Sequence, residues 1–521
     1  LLKRGNFVWI ATNQGLYAYD LYNSVLKSYR HTSDEKSLSH DYATSLTTLP
    51  NGQLLVGTLR GVSLLDEQSE TFQHWNSSPS SLLPSLASQN PLPSDFVHCL
   101  LTYNGQLWIG TETAGIVRLS PQPLVLRNYV HQQGQGGSLS PNPVNAMYVA
   151  EDGTLWAGTV EGGLNRRNAD GTFTHWTTGN SQLSHNSVSV LEPDTHGWLW
   201  IGTWGGGVNV ISTQESGSVK HIDMPAEMVT QTLHIGSLAY DKYNDALWIG
   251  SNDGIFLYHP QTGQLEDPFK ENRLIRGCIG SIVDKNGMLW MGCLSGVCVI
   301  DLHSRKTENE PFQYRRIRYK LNHPESLVID KISCFCETKD GTLWLGSNGY
   351  GIYRRAIDDT GKETFECLTT DDGLANNAVK GMVEDVQGRL WITTDNGLSV
   401  FDPRTRTFNN YTEHDGLLCQ RFYWNSAVKG PDEAIYLGSA AGLTEVRGEN
   451  VSAQYPAHLT FTRLMVDNLE ITAANSDIVD ADISQASRIR LHESNKSFSI
   501  DFSTLTYAGE TQGHYSYRMK G

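Results

Sequence analysis

The sequence predicts an all-β protein: seven-bladed β-propellers of four-stranded blades, followed by the start of an Ig-like β-sandwich. Three observations lead there. A short aromatic-Ile-Gly-Thr motif recurs along the chain, 49 glycines among 521 residues supply turns, and no segment keeps the 3.6-residue apolar period of a packed helix.

The motif is clearest at Leu199-Trp200-Ile201-Gly202-Thr203, which runs through Trp204 and three glycines into Val208-Asn209-Val210. It reads as a buried strand, a tight glycine turn and a second strand. Copies are anchored at Trp9, Trp108, Trp156, Trp248, Trp290, Trp344 and Trp391, with Leu55 and Tyr436 in place of the indole. The ten anchors lie 42 to 54 residues apart. Repeats of this length signal a solenoid, propeller or array, and the absence of helical periodicity excludes the helical arrays.

Each repeat reads as four antiparallel strands. Val188 to Leu191 is a first strand, ending at the turn Asp194-Thr195-His196-Gly197. Leu199 to Thr203 is the second, and Val208 to Ile211 the third. The fourth is clearest in the preceding unit as Phe173-Thr174-His175-Trp176, after the turn Asn168 to Gly171. Four strands per repeat is a propeller blade. The indole fills the gap between radially packed sheets, and the following glycine permits close backbone approach. Leu38, Leu139, Leu183, Leu327, Leu374 and Leu417 are placed to pin the loops between blades. The repeated tryptophans are therefore read as structural.

Propellers close with four to eight blades, so ten copies make more than one ring. The first three fall in residues 1–133, the end of an N-terminal propeller. The last seven fill 134–450, a seven-bladed ring, with the Gly/Gln/Ser/Pro-rich segment Gln132 to Pro143 as the junction. Residues 451–521 change to period-two alternation, at Leu459 to Thr462, Arg488 to Leu491 and Ser497 to Phe502, and read as the first part of a sandwich.

A formal charge of −16 argues against nucleic acid, which demands clustered Lys and Arg. The one basic run, Arg315-Arg316-Ile317-Arg318-Tyr319-Lys320, reads as a solvated outer strand. The eight cysteines carry no zinc spacing and read as small buried apolar groups. Cys293 and Cys298 flank a turn, where a bridge is one option. No stretch reaches the ~18 apolar residues of a membrane helix. The chain opens inside a repeat and ends within an alternating strand, and so reads as an internal fragment.

The repeated LWIGT…GG unit, followed by SFSIDFSTLTYAGE…YSYRMKG, resembles the sensor region of Bacteroidetes-type hybrid two-component systems, with regulator propellers and a tyrosine-motif ("YYY") sandwich. The Asp372-Gly373-Leu374 and Asp415-Gly416-Leu417 loops fit the same pattern. The resemblance implies a periplasmic sensor region that binds an oligosaccharide and forms a homodimer through its sandwich. It also implies a signal passed to a membrane-anchored histidine kinase, with membrane contact only through C-terminal segments beyond these residues. Catalysis, cofactors and metals are not expected of this region.

Antiparallel connectivity puts the interblade loops and the second-to-third turns on one face of a ring, and the Asp-x-x-Gly turns on the other. Counting back 14 residues from each anchor gives Asn142, Asn186, His234, Arg276, Asp330, Asn377 and Phe422 at the axial start of each blade. Six are polar or charged, as a ligand site or a water-lined channel requires. Lys331, Arg421 and Tyr423 extend this ring. The second-to-third turns add Glu161, Asn252, Asp253, Asn348, Asp395 and Asn396, together with Trp204 and Tyr350, aromatics where other copies are small or polar. The candidate ligand residues are thus Trp204, Asn186, His234, Arg276, Asp330, Lys331, Tyr350, Asn377, Arg421 and Tyr423. The cations Arg276, Lys331 and Arg421 are compatible with an acidic sugar. Two alternatives remain at this level. A polysaccharide glycosidase or lyase is one, but hydrolysis needs two carboxylates across the axis and Asp330 stands alone in the ring. A protein-interaction propeller fits the fold equally well.

Overall fold

The computed structural model describes residues 1–49, 52–78, 91–103, 106–119, 124–141, 143–213, 217–270, 275–294, 296–307, 310–319, 327, 331–449 and 459–503. The chain divides into two compact units, Leu1–Pro123 with Glu449–Gly521, and Leu124–Gly448.

The first unit holds two four-stranded antiparallel sheets, residues 2–29 and 43–75, and a three-stranded sheet, residues 97–119. Their anchors Trp9 and Leu55 are buried, whereas Trp108 is half-buried beneath the Arg118 guanidinium. A further sheet pairs Thr460–Val466 with Leu469–Glu470 and Phe498–Ser503. Leu464, Val466, Ile478, Val479 and Ile483 form its core. The strand expected at Arg488 to Leu491 is only a single bridge, Ile489 to Val479, among the described residues. Most of the tyrosine-rich segment, from residue 504 onward, lies outside the described residues.

The second unit is a closed ring of seven blades. Blades one to six occupy residues 144–176, 188–221, 235–266, 280–317, 332–368 and 379–411. Blade seven takes three strands from residues 422–449 and its outermost strand, Leu124–Tyr129, from the other end of the unit. The innermost strands neighbour one another in sequence order, and that of blade seven meets that of blade one. The closure covers the free edge of Gly442–Glu449 with Leu124–Tyr129. A buried network locks it: the Tyr129 hydroxyl donates to Glu445 Oε2 at 2.6 Å and accepts from Arg167 at 2.9 Å, and Arg167 lies 3.3 Å from the same carboxylate.

The ring's indole anchors are no more than 4% exposed, and the six loop leucines are equally buried. A Cβ on Gly202 would lie 2.5 Å from Val190 Cγ1 and 2.7 Å from Ile235 Cγ2, so only glycine lets neighbouring blades approach so closely there. The Asp-x-x-Gly turns are structural. Asp194, Asp284 and Asp385 each accept the indole N–H of the anchor six residues later, at 3.0, 2.9 and 2.9 Å. The basic run begins in the outermost strand of blade four, and Arg315 forks onto Glu363 of blade five at 2.7 and 2.9 Å; Lys320 lies outside the described residues. All eight cysteines are free thiols. Cys293 packs against Cys278 rather than Cys298, because the latter faces Met291 across the adjoining strand pair.

Candidate functional site

One face of the ring is built by a repeating pair of backbone links. The residue after each second strand donates to the carbonyl at the start of its own blade's inner strand: Trp204 to Ser187, Asn252 to His234, Leu294 to Arg276, Asn348 to Lys331 and Ala440 to Arg421. Turn glycines then reach the next blade, as Gly163 to Asn186, Gly205 to Leu233, Gly351 to Asn377 and Gly397 to Gln420. The second-to-third turns and the inner-strand starts therefore share one face, as antiparallel connectivity requires.

The equal-step count of 14 slips in three blades: in blade four Arg276 accepts the Leu294 N–H and so aligns with Ser187 and Lys331 rather than with Asn186. Blade three has a longer first turn, so His234 aligns with Ser187 and Lys331, and Leu233 takes the place aligned with Asn186 and Asn377. Blade seven has extra residues in its bulge, so Phe422 aligns with Val144 and Val188 and is buried core, 2% exposed. Its channel-start role falls to Gln420.

Asn186 and Asn377 face inward to their own loops. Asn186 Oδ1 accepts the Thr178 N–H at 2.8 Å. Asn377 Oδ1 accepts from Thr370 at 2.9 Å, while its carbonyl holds both Gly349 and Gly351 around Tyr350. Their polarity serves the scaffold. Asp330 and Asn142 lie outside the described residues. Arg276, Lys331 and Arg421 are exposed and form no ion pair among the described residues. Tyr423 is half-buried, and Tyr350 is 46% exposed. Trp204 is 43% exposed and bridges His234, with ring centroids 5.4 Å apart at 72°.

A second cluster centres on a residue that the spacing argument does not select. Six of the seven inner strands are bulged near this face. Short side chains at the bulge bond the next blade: Asn145 donates to the Val188 carbonyl, Ser189 to Ile235 and Ser333 to Val379. Blade three has Gly236 there, where a Cβ would fall 1.9 Å from the Cys278 carbonyl oxygen. Blade six instead places Lys380 at this position, with its side chain 8% exposed. Its ammonium lies 3.2 Å from Asp395 Oδ2, 3.5 Å from Asn348 Oδ1 and 4.0 Å from the Trp424 ring centroid. Trp424 is available because blade seven's bulge spans four residues, Tyr423 to Ser426, where blades one, two, five and six have a single residue. Asn425 within it is held at φ 51°. A lysine inside an otherwise apolar strand, and a first strand longer than in the other copies, are the sequence signals for this pair.

Below the bulges the seven inner strands enclose an axial cavity of about 180 Å³. Ala146, Leu191, Leu238, Phe335, Met382 and Val428 make much of its wall. Glu192 also lines it, accepting the Tyr240 N–H at 2.9 Å. Burial pushes this carboxyl up to about 7, against the opposing pull of that hydrogen bond. The face thus offers aromatic planes at Trp204, Tyr350 and Trp424, amides, and a buried cation over a shaft lined by both apolar and polar groups.

The family model of the two-component regulator propeller matches residues 138–161, 182–205, 326–349 and 373–396. These four segments are two-component regulator propeller repeats. Each matched regulator repeat runs from an interblade loop to a second-to-third turn. Trp204, Asn348, Lys380 and Asp395 fall inside the repeats and Trp424 outside them.

Over 404 residues the chain is 23% identical to histidine kinase P4 of Formosa agariphila, covering 75% of this chain and 28% of that protein. It therefore spans little more than a quarter of the curated relative's length. Its fold is shared with the extracellular domain of a hybrid two-component system of B. thetaiotaomicron, BT3049, at TM-score 0.60 and 20% identity, over 95% of this chain and 68% of that one. A second such domain from the same organism, BT4673, aligns at TM-score 0.51 and 21% identity, over 97% of this chain and 65% of that one. Among the described residues no helix is long and apolar enough to cross a membrane.

Proposed function

We propose that this chain is the extracytoplasmic ligand-sensing region of a membrane-anchored hybrid two-component protein, and that the loop face of the 124–448 ring binds an oligosaccharide. The observation that carries the reading is the Lys380 cluster. An ammonium is costly to bury, and a scaffold needs none at a position where Ser189 and Ser333 make the interblade bond more cheaply. Lys380 is held under an indole at the rim of an open shaft, with Asp395 and Asn348 beside it. Flat aromatic surfaces beside amides and charges suit sugar rings, whose faces are apolar and whose edges carry hydroxyls.

Signalling requires the ligand to bind one arrangement of the region more tightly than another. The regulator propeller repeats and the extracellular two-component relatives support the sensing role. The downstream sheet around Leu464 and Val466 is the proposed start of the element that carries the change, as a homodimer, toward a kinase beyond these residues. A hydrolytic role would call for a facing pair of carboxyl groups; among the described residues of the cavity wall Glu192 is the one carboxyl. Screening the chain against an oligosaccharide array tests the proposal: one preferred class supports it, and polysaccharide turnover by the purified chain would replace it with an enzyme.

A further inference from the structure

Blade four departs from its neighbours at the approach to its inner strand and the end of its second strand. Elsewhere the first inner-strand residue is apolar and faces a hydroxyl at the end of the second strand, as in Val188–Thr203, Ile235–Ser251 and Val379–Thr394. Those hydroxyls donate to the carbonyl of a turn glycine, Thr203 to Gly207 at 2.8 Å and Thr394 to Gly397 at 2.7 Å. In blade four both places are cysteines, Cys278 and Cys293. Their Sγ atoms lie 3.0 Å apart, and the residues are 2% and 3% exposed.

We propose that Cys278 and Cys293 are a disulfide pair that oxidises to tie the segment leading into the inner strand of blade four to its second strand. Cys278 lies two residues ahead of the inner strand Gly280–Val283, and the 3.0 Å sulfur separation is the geometry that carries the pairing. The side chains already point at each other, and bonding at ~2.05 Å needs an approach of about 1 Å. Replacing both members of an apolar–hydroxyl pair forfeits the turn hydrogen bond that Thr203 and Thr394 make, and a covalent link offsets that loss.

The chemistry is thiol–disulfide exchange with a protein or glutathione disulfide as oxidant. One cysteine, as thiolate, attacks the oxidant's disulfide and releases one oxidant thiol. The second cysteine, deprotonated, attacks the mixed disulfide and releases the other. Two protons and two electrons leave the protein, and the oxidant disulfide becomes two thiols. The Cys293 hydrogen bond and burial hold the Cys278 thiol well above its ordinary pKa. The exchange therefore takes place before blade four is packed, and reduction of the folded protein requires local opening. The bridge would close the 15-residue separation between the two sulfurs. It would also fix the loop-face segment in which Arg276 accepts the Leu294 N–H at 3.0 Å.

The 521-residue chain, refolded in a glutathione redox buffer, alkylated under denaturing conditions and digested, tests this wherever the native protein resides. One bridge joining Cys278 to Cys293, with the other six thiols alkylated, is the expected result. The oxidised form should melt on the order of 5 °C above the dithiothreitol-treated form, and this gap should vanish in the Cys278→Val/Cys293→Thr double variant, which copies the residue types of neighbouring blades. Eight alkylated thiols after oxidative refolding, or a bridge from Cys293 to Cys298, would overturn the assignment.

Discussion

The ammonium of Lys380 sits 4.0 Å from the centroid of the Trp424 ring, in a bulge where the equivalent residues of blades two and five are serines. A cation buried at that place gains about 2 kcal/mol from a desolvated aromatic face. It still lacks the full shell that water would provide. Stability alone therefore does not account for it.

Lys380→Ser should leave the unfolding free energy of the ring within about 1 kcal/mol of the parent, because the new hydroxyl can make the interblade bond of Ser189 and Ser333. Trp424→Ala should lower it by about 2 kcal/mol, since it uncovers the ammonium and removes aromatic packing. Urea unfolding monitored by circular dichroism measures both. A loss above 3 kcal/mol for Lys380→Ser would make the lysine a structural residue.

Asp284 accepts the N–H groups of Asn286 and Met288 as well as the Trp290 indole, all at 2.9 Å. Asp284→Ala strands the buried Trp290 indole N–H and two part-buried backbone donors and should cost about 2–4 kcal/mol. Blade one supplies the converse. Ala150 occupies the same turn, with the same backbone bonds to Thr154 and Gly153, and the Trp156 indole nitrogen is buried without a partner. Ala150→Asp should raise stability by about 1 kcal/mol. The two shifts, read from thermal unfolding, must have opposite signs.

Glu192 makes stability pH-dependent. Its folded pKa of about 7 exceeds the ordinary 4.5, so between these values the folded state holds a proton that the unfolded state has lost. Its contribution is fully present below pH 4.5, fades as pH rises to 7, and is constant above that, a span of roughly 3 kcal/mol. Glu192→Gln should therefore match the parent at pH 4 and exceed it by about 3 kcal/mol at pH 8. Denaturant midpoints for both proteins across that range give the difference directly.

Ring closure rests on Glu445, fully buried and shared by Tyr129 and Arg167. Glu445→Ala removes the acceptor of the tyrosine hydroxyl and the ion-pair partner of Arg167 and Arg447, at a cost of about 3–5 kcal/mol. Hydrogen exchange should quicken first in Leu124–Tyr129 and Gly442–Glu449, ahead of the inner strands. Uniform acceleration across all blades would show that closure is not the weak point.

Blade architecture was legible because it is local. The strand at Phe173–Trp176, the leucine pins and the packed indoles all follow from a motif repeated at near-constant spacing. The candidate site was less legible, because spacing fails where chain is inserted. One extra residue in a turn moved His234 and the long bulge moved Phe422, so an equal-step count landed on core. Asn377 looked like a ligand amide because polarity does not reveal that its partner is its own loop. Lys380 and Trp424 belong together only through the contact of adjacent blades, which no periodicity encodes.

Isothermal titration of the chain with its best array oligosaccharide, repeated for Lys380→Ser, Trp424→Ala and Trp204→Ala, bears most directly on the loop-face site. Saturable binding is expected, weakened at least about tenfold by Lys380→Ser and Trp424→Ala with folding intact; a desolvated contact worth about 1.4 kcal/mol suffices for that factor. Trp204→Ala reports whether the ligand extends to blades two and three. Unchanged affinity in all three variants would contradict the loop-face site and place the ligand elsewhere on the protein.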